Sequence, residues 1–426
     1  MSECASPWRA SALLRKERVG PLRERACGGE EREMSRPDVF VVGAARTPIG
    51  AFQGALSRVS ATQLGAAALR GALTRSKLRG ELVDAAFMGN VLSAGLGQAP
   101  ARQAVLYAGL PESVPATTVG KVCGSGLEAI LLGVRSLLLG DTAVVLAGGM
   151  ESMSNAPYLL SKARGGYRMG HGELIDALIR DGLWDPYEDF HMGAAAERSA
   201  SELSVTRAQQ DDFARASYQR ARAAQRDGAF NAEIEPVSLI AAGRTQLVER
   251  DEEPDRVDLE KMDALAPVFV PGGTITAANA SKISDGAAAV VLTTGEVVRR
   301  EGLTPLARVL AYAGHAQGRS DFATAPVHAT HKALARASLQ LRDIDLFEIN
   351  EAFAAVTLIC MRQLGLTSEQ VNVRGGAVAL GHPIGASGAR IVTTLLHALS
   401  DRKLARGVAT VCLGGGEALA IVLERV

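Results

Sequence analysis

Short apolar runs alternate with helical patterns along most of this chain. Apolar runs that close on glycine or a polar turn predict buried strands; they lie at 38–43, 83–88, 143–147, 287–293, 306–311, 345–349, 408–413 and 418–423. Apolar positions spaced three and four residues apart predict buried helices at 127–138 and 391–399, and helical patterns also cover 62–73 and the more polar 207–226. This alternation predicts an α/β fold whose mixed sheets are covered on both faces.

One unit of the pattern occurs twice. A glycine-containing turn, an apolar helix, a buried strand and a run of glycines follow one another in the first half of the chain and again near its C-terminus, where Gly407 is expected to end the helix. Gly126 aligns with Gly388, an offset of 262 residues, and Gly148 aligns with Gly414, an offset of 266. We interpret the repeat as an internal duplication, with chance similarity of two αβ units as the alternative. Halves related by a pseudo-twofold axis would bring the two turns face to face.

The segment between the two copies has a different composition. Residues 153–283 are rich in charged residues, glycine, tyrosine and histidine, which predicts an inserted domain that covers a site. We expect a first half formed by 35–152 together with 284–304, and a second half at 305–426.

The N-terminal segment differs again. Arginine and glutamate are mixed throughout residues 1–33. A mitochondrial presequence is poor in acidic residues and a secretory signal has an apolar core, so the segment fits neither. We predict that residues 1–34 are a disordered extension or are not translated, with translation beginning at Met34. Peptides from 1–33 in the natural protein would contradict the second possibility.

Composition and charge exclude several classes of protein. A length of 426 residues implies two or three domains. The 46 basic and 46 acidic side chains balance, so we expect neither nucleic acid nor a membrane as partner, and no apolar run approaches the length of a membrane span. Five cysteines without a CxxC pair argue against a disulfide framework or a zinc site. We therefore expect a cytoplasmic protein in a reducing compartment, without a metal or cofactor.

Cys123 is the leading candidate for chemistry. The glycines on either side of Ser125, just after it, let the backbone approach a ligand closely. The N-terminus of the following helix offers free N–H groups and a partial positive charge, which favour the thiolate and should lower the pKa of the cysteine. A small buried apolar cysteine is the alternative interpretation.

Three further residues are candidates for the same site. His382 lies in a Gly-His-Pro step whose rigid backbone suits a positioned base, although a histidine that only binds loop backbone has the same pattern. Cys412 is the penultimate residue of a strand that enters three glycines, and it is equally compatible with a core cysteine. Asn350 follows the strand at 345–349, where a polar residue either faces a crevice or caps the next helix.

Six motifs occur together in the chain: VCGSGLEA, AGGMESMSNAPY, GTITAANASKISDGAAA, EINEAF, GGAVALGHPIGASGAR and CLGGG. In this order and spacing they resemble the thiolase family, and the resemblance runs from about Asp38 to the C-terminus. It implies duplicated halves with α/β/α/β/α layers, each with a mixed five-stranded sheet, and an inserted loop domain. It also implies that Cys123 forms an acyl-thioester, that His382 takes its proton, and that Cys412 acts as acid and base on the α-carbon of a second acyl-CoA.

The same resemblance implies two further binding elements. Backbone N–H groups of Cys123 and Gly414 would bind the acyl oxyanion, and His382 with a water held by Asn350 would bind the thioester oxygen of the second substrate. Donors of this kind typically contribute a factor of about 10²–10³ each. The positions that match the pantetheine tunnel are His191, Met192, Ala280, Ser281, Ala352 and Phe353.

The sequence around Met192 bears on the substrate. His-Met-Gly at 191–193 is similar to the short-chain branch of the family, in which the methionine narrows the acyl pocket. The resemblance thus implies reversible condensation of two acetyl-CoA to acetoacetyl-CoA and CoA, with degradation of longer 3-ketoacyl-CoA as the alternative. Glu417 departs from the small glycine-containing step that usually follows the glycines, so it could alter the pocket or point to solvent.

Other implications concern assembly and ions. Relatives form dimers or tetramers, so we expect a homodimer or homotetramer. Residues 277–280 and Tyr218 resemble the potassium site of some members.

Two alternative classes are a non-catalytic acyl-CoA- or lipid-binding relative and a carrier-protein-linked condensing enzyme. The first has no need of two cysteines and a histidine together, and the second typically lacks the equivalent of Cys412.

Overall fold

The computed structural model describes residues 37–241 and 244–426, and the extension predicted at 1–34 lies outside them. The strands are β1 (Val39–Arg46), β2 (Gly50–Ala51), β3 (Ala85–Gly89), β4 (Ala116–Val119), β5 (Val144–Ser152), β6 (Tyr158–Leu159), β7 (Ile175–Asp176), β8 (Trp184–Asp185), β9 (Phe190–His191), β10 (Val237–Ala241), β11 (Arg244–Val248), β12 (Ser284–Thr294), β13 (Ala307–Ala316), β14 (Leu346–Ile349), β15 (Arg406–Leu413) and β16 (Glu417–Arg425). The α-helices are α1 (Ala61–Ser76), α2 (Pro100–Tyr107), α3 (Ser125–Leu139), α4 (Met192–Glu202), α5 (Arg207–Arg226), α6 (Gly295–Arg300), α7 (Ala325–Arg336), α8 (Ala354–Leu364), α9 (Ala377–Leu380) and α10 (Ile384–Arg402). Each strand and helix predicted from an apolar pattern is present, with shifted ends.

The duplication predicted from the sequence is visible in the strand order. In the first half β1 pairs antiparallel with β12 and β12 antiparallel with β5, whereas β5, β3 and β4 run parallel. In the second half β13 pairs antiparallel with β16 and β16 antiparallel with β15, whereas β15 and β14 run parallel. A parallel bridge between Phe347 and Val371 stands where the second half would have its fifth strand.

The two half-sheets are joined rather than separate. β1 and β13 pair antiparallel through Phe40–Arg308 and Val41–Ala307. The described strands therefore include one continuous ten-stranded sheet, in which the short β2 pairs with β12. The mixed α/β class is confirmed, but the two five-stranded sheets expected from the sequence share an edge. A pairing between residues so far apart in sequence leaves no local sequence signal.

Helices α3 and α10 pack against each other between the half-sheets, in an apolar core that includes Leu127, Ile130 and Leu395. The aligned glycines lie at this contact. A Cβ added to Gly126 would lie 2.9 Å from the backbone nitrogen of Ala389, and one added to Gly388 would overlap the backbone nitrogen of Leu127. Only glycine permits so close an approach. The loops that precede both helices consequently meet at one place.

The C-terminus of α10 corrects one boundary. Gly407 was expected to end this helix, but α10 ends at Arg402, and Lys403 adopts the left-handed conformation with φ of 54°. Gly407 instead lies in β15, where an added Cβ would come within 2.6 Å of Leu395. Gly407 therefore lies where the helix packs closely on the strand, and it does not terminate the helix.

Helix α3 also corrects the statement about apolar runs. Residues Val122–Leu139 span 18 residues with a mean hydropathy of 1.6, which by length and composition is enough to cross a membrane. Over half of this stretch is buried inside the fold, and the core helix of an α/β protein passes the same test.

The inserted segment contains α4, α5 and the short hairpins β6–β7, β8–β9 and β10–β11. α5 spans the helix predicted at 207–226 and begins with a capping box formed by Thr206 and Gln209. Residues Pro37–Val426 form one compact unit. The division into halves and an inserted domain at the boundaries given above stays a prediction.

Candidate active site

Residues from both halves and the inserted segment line one cavity of about 50 Å³. The predicted site residues that line it are Cys123, His191, Met192, Ser281, Ala352, Phe353, His382, Cys412 and Gly414. Ala280 lines an adjoining cavity, and Asn350 is fully buried just after β14. Lining residues that the sequence did not single out are Val122, Gly182, Leu183, Phe322, Ile384 and Leu413. The turns that carry Cys123 and His382 therefore meet, as the duplication predicted.

The turn that holds Cys123 is a single 3₁₀ turn, Val122–Gly124, between β4 and α3. Ser125 fixes it, because its hydroxyl donates to the carbonyl of Val122 at 2.7 Å and accepts from the backbone N–H of Lys121 at 2.8 Å. Val122 has a φ of 45°, an unfavourable conformation for a β-branched residue. Strain of this kind persists where the surroundings over-determine the backbone, which is common at active sites.

The pKa of Cys123 corrects the sequence prediction. Burial raises the pKa of this thiol to about 11, against the lowering effect of the nearby backbone N–H groups of Gly414 and of Cys123 itself. Desolvation of the thiolate outweighs these donors because the sulfur lies in a largely apolar cavity. The resting residue is a thiol, so a base must remove its proton during the reaction. The same two N–H groups are those expected to bind an acyl oxyanion.

The raised pKa gives a test of reactivity. The thiolate is the form that reacts with iodoacetamide, and a pKa of about 11 leaves it scarce at neutral pH. Alkylation of Cys123 should therefore accelerate about tenfold per pH unit between about pH 6 and about pH 9. Peptide mass spectrometry after timed quenching measures this rate, and the peptide with the fully buried Cys360 serves as an unlabelled control. A plateau of the rate below about pH 8 would contradict the prediction.

The protonation of His382 follows from its hydrogen bonds. Its Nδ1 lies 2.5 Å from the hydroxyl of Ser387, and this hydroxyl donates its only proton to the carbonyl of Pro383 at 2.9 Å. Ser387 must therefore accept from the imidazole, so Nδ1 carries the proton and Nε2 the lone pair. Nε2 is buried and has no hydrogen-bond partner among the described residues. His382 thus presents a basic nitrogen that no protein group occupies.

The charge state of His382 suits a residue that accepts a proton. Burial lowers the pKa of the imidazole to about 3, with a smaller contribution from the positive charge of Arg390. The residue is therefore neutral over the physiological range, as a base must be before it takes a proton. Cys123 and His382 form a neutral thiol–imidazole pair at rest. Ser387, which the sequence placed in a motif without a role, sets the tautomer.

Cys412 lies on β15 and is 2% exposed. Burial raises the pKa of its thiol well above the ordinary value, and the proximity of Cys123 and Cys360 raises it further. A thiol of this kind holds its proton firmly, and its anion is a strong base. Both properties suit proton exchange with a carbon acid.

Asn350 does not cap a helix, which excludes one interpretation of the sequence. α8 begins at Ala354 with Phe353 as its N-cap residue. Asn350 is instead fully buried, and neither its side-chain nitrogen nor its oxygen has a partner among the described protein groups. Unsatisfied buried amides are rare, so each one calls for an explanation. The side chain of Asn350 retains its full capacity to bind a water molecule or a substrate oxygen.

A second cavity of about 320 Å³ adjoins the first and shares His191, Ser281, Phe353 and His382 with it. The ring of His191 stacks on Phe269 at 4.8 Å, and Phe269 meets the ring of Phe353 edge-on at 5.8 Å. His191 Nδ1 accepts from the backbone of Gly193 at 3.0 Å, and burial lowers the pKa of the ring. The result is an uncharged aromatic wall. Phe269 was missed, because no pattern around it differs from ordinary core.

Two further buried carboxylates support the site: Glu151, which was missed, and Glu351, which the sequence indicates only as the polar neighbour of Asn350 at the end of a strand. Glu151 accepts from the backbone N–H groups of Val91 (3.0 Å) and Gly385 (2.9 Å), and it thereby links β5 to the first turn after His382. Glu351 joins α5 to the second half through the hydroxyl of Ser217 at 2.8 Å. Burial raises the pKa of both, that of Glu151 to about 7. Glu351 follows the apolar run at 345–349 after one residue, which was the available signal, whereas Glu151 comes four residues after the end of the run at 143–147 and had none.

Glu417 does not line the cavity. Its carboxylate lies 2.5 Å from the ammonium of Lys121, and both side chains are partly exposed. The ion pair joins the turn before Cys123 to the strand after the glycines. The departure noted in the sequence therefore lies outside this cavity.

The residues that resemble a potassium site do not fit an additional cation. The ammonium of Lys282 donates to the carbonyls of Ala277 and Ala280 at 2.5 and 2.9 Å and lies 5.5 Å from the centre of the Tyr218 ring. A positive charge of the chain itself already occupies these oxygens. Among residues 37–241 and 244–426 no cluster of three or more metal-ligating side chains occurs.

A cysteine, a neutral imidazole base and a second cysteine at one buried cavity are the arrangement expected of a cysteine-dependent acyltransferase. The family model described as the N-terminal domain of thiolase matches residues 39–296, and the one for the C-terminal domain matches 303–425. The chain belongs to the thiolase family.

Similar proteins cover nearly the whole chain. "Acetyl-CoA acetyltransferase 2" from Arabidopsis thaliana is 51% identical over 91% of this chain and 97% of its own length. "Acetyl-CoA acetyltransferase" from Escherichia coli K12 is 50% identical over 90% of this chain and 98% of its own. The crystal structure of the Acat5 thiolase from Ascaris suum in complex with coenzyme A matches with a TM-score of 0.87 and 45% identity, covering 91% of this chain and 100% of that one.

Proposed function

We propose that this chain is an acetyl-CoA C-acetyltransferase, which condenses two acetyl-CoA reversibly to acetoacetyl-CoA and CoA. Its family makes it an acyltransferase. The observation that carries the proposal is the meeting of Cys123, His382 and Cys412 at one cavity with the backbone of Gly414. The names of the relatives and the coenzyme A in the similar structure support CoA thioesters as substrates.

The first half-reaction uses Cys123 and His382. In the thiolysis direction Nε2 of His382 takes the thiol proton, and the sulfur attacks the 3-keto carbon of acetoacetyl-CoA. The oxyanion lies at the backbone N–H groups of Cys123 and Gly414, which also favour the thiolate of Cys123. The bond between C2 and C3 then breaks and leaves an acetyl group on Cys123. Covalent catalysis replaces one difficult step by two easier ones.

Cys412 exchanges the proton at the α-carbon, C2 of acetoacetyl-CoA. As the C2–C3 bond breaks, the thiol of Cys412 protonates C2 of the departing enolate, and acetyl-CoA leaves. Incoming CoA gives its proton to the Cys412 thiolate and attacks the acetyl group, and the sulfur of Cys123 recovers a proton from His382. Condensation is the reverse sequence, in which Cys412 removes the α-proton. Nε2 of His382 and the amide of Asn350 can stabilise the enolate oxygen.

The small cavity supports a short acyl chain and predicts chain-length selectivity. Met192 lies close to Gly414, so it limits the space beyond the reacting carbon. The kcat/KM for thiolysis should fall by about tenfold or more from acetoacetyl-CoA to a 3-ketoacyl-CoA two carbons longer. Steady-state rates over a series of acyl lengths measure this, and Met192→Ala should flatten the series.

The control for chain length is Met361→Ala, a matched change on α8 in a residue that packs against the core but does not line either cavity. It should lower stability without changing selectivity. Equal or higher rates on long chains would overturn the short-chain assignment and favour the degradative alternative. CoA binding without any thiolysis would instead favour a non-catalytic binding relative.

We propose a homodimer or homotetramer in the cytoplasm, acting in lipid metabolism. Large apolar side chains are exposed between residues 158 and 174, among them Tyr158, Leu160 and Leu174, which supports self-association. Cys123, Cys360 and Cys412 are free thiols, which suits a reducing compartment. Sedimentation velocity distinguishes a monomer from these assemblies.

A further inference from the structure

Lys282 folds back onto its own loop. Its ammonium donates to the carbonyl oxygens of Ala277 and Ala280 at 2.5 and 2.9 Å. The aromatic ring of the fully buried Tyr218 lies 5.5 Å from the same ammonium. Within the part of the chain that the structure describes, Lys282 forms no ion pair within 4 Å, so carbonyl oxygens are its main partners.

Carbonyl oxygens arranged around a dehydrated positive charge are also the ligands by which proteins hold potassium ions. Glu253 and Glu351 lie near enough to favour the charged form of Lys282, whereas burial lowers the pKa of the ammonium to about 8. The hydroxyl of Tyr218 is buried and has no partner among the described groups. The environment is therefore that of a small monovalent cation, and the lysine supplies the cation itself.

The loop clamped by Lys282 serves the active site directly. The backbone carbonyl of Lys282 accepts from the N–H of His382 at 2.9 Å. Ser281, one residue earlier, lines both cavities and donates its N–H to the carbonyl of Ala352 at 3.1 Å. Displacement of this loop would therefore move the base and the wall of the coenzyme A cavity together.

We propose that Lys282 is a built-in monovalent cation, a positioning residue that holds the loop at 277–284 in place and makes potassium unnecessary for this enzyme. Residues 277–280 and Tyr218 resemble a potassium site, but the ammonium of Lys282 takes the place that the ion would have. The inference goes beyond the proposed reaction but uses it as one readout.

The experiment compares the wild-type enzyme with Lys282→Ala and Lys282→Met in KCl and in choline chloride at equal ionic strength. Wild-type thiolysis of acetoacetyl-CoA should be the same in both salts. Lys282→Ala should lose about 10–100-fold in kcat/KM in choline chloride, and KCl should restore most of that loss, because an ion can take the place of the ammonium. Lys282→Met should show a similar loss without rescue, because its side chain fills the space without a charge.

A matched control and a second readout separate the possible failures. Lys261→Ala removes an exposed lysine that pairs with Asp258 at 2.9 Å in the same inserted segment, and it should respond to neither salt. Thermal denaturation needs no activity: KCl should raise the Tm of Lys282→Ala alone, because a ligand that binds the folded state stabilises it. The proposal would be overturned if the wild-type enzyme required potassium. It would also be overturned if KCl changed neither the Tm nor the activity of Lys282→Ala. A Tm response without thiolysis in any variant would contradict the proposed reaction and support the cation site.

Discussion

Replacing Cys123 with alanine should lower kcat for thiolysis of acetoacetyl-CoA by roughly 10⁴-fold or more and abolish transfer of radiolabel from acetyl-CoA to the protein. The reason is that every covalent step in the proposed reaction passes through this sulfur. The backbone N–H groups of Gly414 and residue 123 remain, so substrate binding should change far less than turnover. Steady-state kinetics together with intact-mass measurement of the acyl-enzyme test this result.

Cys360→Ala is the matched control, because Cys360 is also a free cysteine, although it is fully buried whereas Cys123 is partly exposed. It lies on α8, where its thiol approaches the carbonyl of Ala323 at 3.6 Å, and it lines neither cavity. This variant should retain turnover and lose some stability. Retained thiolysis in the Cys123→Ala protein would refute the acyl-enzyme mechanism.

Replacing Cys412 with alanine should separate the two half-reactions. In the exchange of labelled CoA into acetyl-CoA, Cys412 only exchanges a proton with the CoA thiol, which also ionises in water with the ordinary pKa of a thiol, so this exchange should fall far less than condensation or thiolysis. Condensation and thiolysis both need a proton exchanged at the α-carbon, and they should fall by about 10²–10⁴-fold, the usual contribution of a positioned acid or base. The two rates can be measured on one protein preparation.

The contrast between the rates is what makes the Cys412→Ala experiment decisive. An equal loss of CoA exchange and of thiolysis would mean that Cys412 maintains the structure of the cavity and does not exchange the proton at the α-carbon. The raised pKa of its thiol adds an independent expectation. A residue with a raised pKa keeps its proton as the pH rises, so the proton-donor function should persist above the ordinary pKa of a cysteine.

Neutrality at rest is a general property of this site. Burial raises the pKa of Cys123 to about 11 and lowers that of His382 to about 3, so neither group carries a charge near neutral pH. The sequence predicted a lowered cysteine pKa from the helix N-terminus alone. That prediction omitted the desolvation of the sulfur, which is a property of the assembled cavity. It also relied on the N–H groups of the helix at Ser125–Leu139, whereas the N–H groups that lower the pKa belong to Gly414 and Cys123, outside that helix.

Periodicity and short motifs were sufficient for much of the fold. Apolar runs and helical spacing predicted the strands and helices of both halves, because burial on both faces leaves a continuous apolar pattern. The repeat predicted that the turns of Cys123 and His382 meet, and the glycines at 126 and 388 are required by the close contact of α3 with α10. These features are local in sequence or repeated in it, and both kinds can be recognised from the sequence alone.

The sequence alone thus determined the α/β class, the duplication and the identity of the candidate nucleophile and its helpers. Only the tertiary structure decided that the half-sheets join through β1 and β13, that Ser387 fixes the tautomer of His382, and that Phe269 completes the aromatic wall. It also decided that Glu417 pairs with Lys121 outside the cavity that Cys123 lines, and that the ammonium of Lys282 binds the carbonyls of a potential ion site. Each of these features depends on distances between residues that are far apart in sequence or on the orientation of a side chain. Neither can be derived from the order of the amino acids alone.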